Sequence, residues 1–167
     1  MAGALDTLSV DGRACRSVLD VVFERRHTVV FSAEIKAEWD RHAGGYATTW
    51  YQLMINNERV VGQESLESLG LERRRMHLRN AIVALVPECK GRGAMLKDVC
   101  IVAAAIVTDR RIVSVDQRAR KLYARYADQL KKVRGTMWVR PQDGDDRVIR
   151  WIRAGAPEQN WCNLGSC

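Results

Sequence analysis

Proline is scarce in this chain, with three in 167 residues, and no segment is repeated or of low complexity. That argues against a long disordered linker and for a chain that folds almost throughout. Long apolar runs are also missing: the longest, from Val99 to Val107, is far too short to span a bilayer. The first residues carry no charged start followed by an apolar run, so the expectation is a cytoplasmic protein with no membrane partner. The five cysteines, at positions 15, 89, 100, 162 and 167, are odd in number and form no CxxC pair. Neither a disulfide framework nor a zinc site is supported. Cys15 and Cys100 lie among apolar residues and read as small core hydrophobes.

What is present is an apolar fraction of 47% with 28% charged residues, the balance of a globular protein. The length suits one domain, expected over residues 1–157 with a C-terminal tail over 158–167. The formal charge of +7 and a pI near 9.5 favour polyanionic partners through phosphate contacts, although charge alone does not specify them.

Val18, Leu19, Val21, Val22 and Phe23 give the stretch from Cys15 to Phe23 the pattern of an amphipathic helix. His27 to Ser32 is short, β-branched and nearly continuous in its apolar centre, as a strand buried on both faces should be. Ser32 then reads as a helix N-cap with Glu34 in the first turn, and Gly44 and Gly45 as the end of that helix. Glu34 and Glu38 share one of its faces. A helix around Ala47 to Asn56 and a longer one from about Glu64 to Val83 follow, then a loop from Pro87 to Gly93. Val99 to Val107 predicts a buried helix, Ile112 to Val115 a buried strand, Gln117 to Leu130 a helix and Thr136 to Val139 a last strand. This order predicts an α/β fold with a mostly parallel sheet.

Three acids fall at comparable places: Glu38 on the helix after one strand, Asp98 at the start of the buried helix, and Asp116 at the carboxyl end of another strand. Acids from distant positions converge in the crevice outside the carboxyl ends of parallel strands. Crowded carboxylates repel one another unless a divalent cation neutralises them. Mg²⁺ or Mn²⁺ suits an all-oxygen donor set, since no histidine or thiolate is placed to help. Such an ion lowers the pKa of a bound water and stabilises the leaving oxygen of a phosphodiester displacement. Ser114, two residues before Asp116, is placed to orient a ligand from the same side of the strand. Each acid also has a structural reading: Asp98 and Asp116 as helix caps, Glu38 on a solvated face.

The run from Lys97 and Asp98 through Ala105, then Thr108 to Arg110, then Ile112 to Asp116, resembles the second half of a PIN domain. The stretch from Val29 to Glu38 is similar to that family's strand, serine, helix and acidic residue, and the likeness covers roughly Cys15 to Pro157. The resemblance implies a three-layer α/β/α fold with a central, mostly parallel sheet. It also implies a metal-dependent endoribonuclease acting on RNA, a possible toxin of a toxin–antitoxin pair with an antitoxin protein as partner, and a homodimer. The family's first acid ends an opening strand and precedes Thr or Ser. Here Asp6, followed by Thr7, is the match and Asp11 the other candidate, although Met1 to Leu5 is a poor strand. The implied metal set is then Asp6, Glu38, Asp98 and Asp116. If the first acid is missing, the alternative is a catalytically weakened module that binds RNA or protein.

Arg73, Arg74, Arg75 and Arg79, with Lys90 and Arg92 in the glycine loop, form a candidate phosphate-binding rim, against the plainer reading of a solvated helix face. Trp39, Trp50 and Trp138 fit packing positions better than base stacking, and His42 and His77 read as surface residues.

Overall fold

Cys15, Val18, Leu19, Val21 and Val22 are all buried, which turns one face of α1 (Val10–Glu24) inward. The computed structural model describes residues 10–144 and 146–166. By its internal contacts the chain divides into two compact units, one comprising Met1–Gly62, Val113–Val115 and Val139–Pro157, the other the remainder. The architecture is α/β and predominantly helical.

In the first unit α1 is followed by β1 (Val29–Val30), α2 (Ala33–His42), α3 (Gly45–Asn56) and β2 (Val60–Val61). β1 and β2 pair in parallel, Val29 opposite Val60 and Val30 opposite Val61. Ser32 caps α2 as its sequence predicts, accepting from the Ile35 N–H. α2 ends at His42, directly before the two glycines, with Ala43 N donating to Trp39 O at 2.7 Å, and Gly44 also serves as the N-cap of α3. Trp39 and Trp50 are buried, with rings 5.9 Å apart, and Phe31 meets Trp39 edge-on at 5.4 Å. Trp50 Nε1 donates to Leu19 O at 2.8 Å, so the indole that fills the core also ties α3 to α1. Later in the chain α9 (Arg147–Arg153) returns to pack on α1, burying Val148, Trp151 and Ile152.

The second unit holds α4 (Gln63–Ser68), α5 (Leu71–Leu85), a 3-10 turn at Glu88–Lys90, α6 (Arg92–Lys97), α7 (Val99–Val107) and α8 (Gln117–Arg125). The single helix expected from Glu64 to Val83 is two, because Gly70 takes a left-handed conformation at φ 81 and breaks the period. The expected loop from Pro87 to Gly93 contains the 3-10 turn and the start of α6. α8 stops at Arg125 rather than Leu130; tighter turns carry the chain on and turn Leu130 and Val133 into the core. α7 packs against α5, and Val102, Ile82, Met95, Tyr123 and Trp138 are central to a continuous apolar core that also takes in Leu164. Residues 158–166 therefore belong to this unit, with Cys162 and Leu164 fully buried.

β3 (Arg111–Val113) and β4 (Met137–Val139) form a second pair. Met137 N donates to Arg110 O at 2.8 Å and Ser114 N to Val139 O at 3.0 Å, both chains advancing together, so this pair too is parallel. Among the described residues the strands form these two separate pairs. No described helix is long and apolar enough to cross a membrane.

Candidate functional site

Asp98 stands where α6 hands over to α7, as C-cap of one and N-cap of the other. Its backbone carbonyl accepts from Val102 N at 3.3 Å, but its side chain makes no capping hydrogen bond. The carboxylate is half-buried, and its charge acts on Tyr123. Burial first, and the negative charge of Asp98 second, hold the Tyr123 phenol well above its ordinary pKa. Tyr123 Oη donates to Met95 O at 2.7 Å.

Asp116 follows β3 and caps α8, its Oδ1 accepting from Ala119 N at 2.8 Å. Negative charge at that helix start is favoured by the macrodipole. Asp116 is exposed. Ser114 lies just beyond β3, bound to the sheet through its backbone N–H.

Glu38 belongs to the first unit, on the half-exposed face of α2. Its carboxylate is paired with Arg41 one turn on and with His42 Nε2 at 3.2 Å. Asp6 lies outside the described residues, and of Asp11 only the backbone, within α1, is described. Among the described residues no group of three or more His, Cys, Asp or Glu side chains is placed to hold a metal ion.

The basic residues of the expected rim all fall in the second unit with Asp98 and Asp116. Arg73 and Arg79 are exposed on α5, and Arg75 is engaged by Glu72 at 2.7 Å. Arg74 is half-buried, its Nε without a hydrogen-bond partner. Lys90 is exposed, whereas Arg92 donates from Nε to Val86 O at 2.7 Å and so closes the loop after α5. A cationic face that sequence reasoning passed over lies on α8: Arg118, Lys121 and Arg125 are exposed and follow helical spacing. Its signal was legible, three cations on one face of the helix that Asp116 caps. Trp151 is buried and donates to Pro157 O at 2.7 Å, which assigns it to packing. His77 is exposed.

Elsewhere in the first unit Tyr46 is pushed up to about 12, by burial first and then by its hydrogen bond to Asp20, against the opposing charge of Arg16. Compared with known proteins, the chain matches no family model, no curated protein and no solved structure.

Proposed function

We propose that this chain is a PIN-like, metal-dependent endoribonuclease. Asp98 and Asp116, with Glu38 and Asp6, are its metal-binding carboxylates, and the biological setting implied by the resemblance is that of a toxin with a cognate antitoxin. The observation that carries the reading is Asp98: a half-buried carboxylate at the mouth of an apolar helix that does not cap it. Its negative charge acts on the buried Tyr123 phenol, and a half-buried carboxylate at a helix start is an oxygen donor of the kind a hard divalent cation takes. The donors are oxygens throughout, which fits Mg²⁺ or Mn²⁺. When bound, such an ion supplies an activated water and charge neutralisation at the phosphate. The chain's own part is to hold Asp98 and Asp116 at helix starts. The exposed cations of α5 and α8 draw in a backbone that the acids alone would repel. The PIN-like three-layer arrangement belongs to the same proposal.

A second reading has its own support. Glu38 is already paired with Arg41 and in contact with His42, and Asp116 is already used as a cap. Both facts suit a module that binds RNA or protein with weakened catalysis.

The test is cleavage of labelled single-stranded RNA by the purified chain with Mn²⁺ and with EDTA. Cutting that EDTA abolishes and that Asp98→Asn and Glu38→Gln abolish is expected. No cutting with Mn²⁺, or Asp98→Asn cutting as fast as wild type, rejects the nuclease and leaves the binding module.

A further inference from the structure

Away from the carboxylates, the first unit carries an open cleft of about 470 Å³ lined by Glu24, Arg25, Arg26, His27 and Arg153. Its form follows from how two helices end. At the end of α1, His27 N donates to Val22 O and Arg26 N to Phe23 O, both at 3.1 Å, with Arg26 left-handed at φ 58. At the end of α9, Ala156 N donates to Trp151 O at 2.9 Å and Gly155 N to Ile152 O at 3.0 Å, with Gly155 at φ 87.

The two ends are tied together. Arg25 Nη2 donates to Arg153 O at 3.2 Å, and His27 Nε2 lies 2.9 Å from Ile152 O, a carbonyl that can only accept, so this ring nitrogen carries the proton. Helix C-termini carry partial negative charge and would repel an anion, but here these carbonyls already take Arg25 and His27. Arg153 Nη2 stands 3.7 Å from Oε2 of Glu24, the one carboxylate among the lining residues, which also include Arg26. An exposed pair at that separation is weak. Arg25, Arg26 and Arg153 against Glu24 leave the cleft with an excess of positive charge. The left-handed backbone of Arg26 is not peculiar to the cleft, since Glu58 takes the same conformation at φ 56.

We propose that this cleft binds the phosphodiester backbone of single-stranded RNA. The proposal rests on the ribonuclease reading for the identity of the polyanion and adds the surface on which it docks. Arg26 and Arg153 contact phosphate oxygens, and Arg25 and His27 hold the two helix ends in place.

The experiment is fluorescence anisotropy of a labelled oligouridylate titrated with the full chain in EDTA, over a series of salt concentrations. The Arg26→Gln/Arg153→Gln double variant is expected to bind about tenfold more weakly at low salt, with a log–log salt slope shallower by about 1.4, two single-strand phosphate contacts. Glu24→Gln is expected to tighten binding, a sign that a purely structural role would not produce. Arg26→Gly places the residue suited to the left-handed position, so it should fold at least as well as wild type and still bind RNA more weakly. Unchanged affinity in Arg26→Gly and in the double variant overturns the proposal. So does a chain that binds phosphatidylserine vesicles through these arginines but not RNA. A chain that cuts RNA with Mn²⁺ while the variants bind normally loses the cleft and keeps the nuclease. One that binds RNA through the cleft but never cuts it loses the nuclease and keeps the cleft.

Discussion

Tyr123 reaches from α8 to the carbonyl of Met95, donating a 2.7 Å hydrogen bond at the junction where Asp98 begins α7. Met95 O also accepts from Asp98 N at 3.2 Å, so removing the phenol does not orphan it. Tyr123→Phe is therefore expected to destabilise the chain by only about 1 kcal/mol, measured by urea unfolding. The same variant has a pH signature. The Tyr123 pKa is raised in the folded chain, so its neutral form is favoured there, and that stability is present below the unfolded value near 10 and lost as pH rises above it. Tyr123→Phe should flatten the fall in stability above pH 10. An equally steep fall in the variant would show that the phenol is not held neutral by the fold.

Asp116 separates structure from chemistry because Asn caps helices as well as Asp. Asp116→Ala should lose about 1 kcal/mol with the Ala119 hydrogen bond. Asp116→Asn should keep the unfolding midpoint close to wild type while abolishing Mn²⁺-dependent cleavage. If Asp116→Asn cuts RNA normally, Asp116 is a cap and nothing more.

Two left-handed glycines offer a packing comparison. At Gly91, φ 97, an added Cβ would stand 2.9 Å from both δ-carbons of Leu122, whereas at Gly155, φ 87, it would meet nothing within 4 Å. Gly155→Ala carries the conformational penalty alone, about 1–2 kcal/mol. Gly91→Ala adds overpacking of a similar size, about 2–4 kcal/mol in all. Equal losses in thermal or urea unfolding would contradict this account of the α6 entry.

Several features of this chain follow from local rules and were readable in the sequence. Ser32 caps α2 because a hydroxyl there reaches the Ile35 N–H, whatever the rest of the chain does. The apolar run from Val99 to Val107 becomes a largely buried helix, and Trp39, Trp50 and Trp138 enter the core, because burial of such surface dominates folding. Other boundaries needed context. Gly70 splits α4 from α5 and Gly91 opens α6 through backbone angles that composition does not reveal. β2 is two residues long and carries no periodic signal of its own, and it exists through its pairing with β1.

The candidate sites divide along the same line. Sequence determined which acids stand at helix starts, Asp98 and Asp116, and which helices are cationic, because both are statements about neighbours along the chain. Only the tertiary structure decided what those groups touch at long range: that Tyr123 reaches the junction where Asp98 begins α7, and that Arg25 and His27 bond carbonyls 128 and 125 positions away to shape a basic cleft. The physical reason is range. Capping and periodicity act within one or two turns, whereas charge and hydrogen bonding act through space, and only folding brings distant partners within reach.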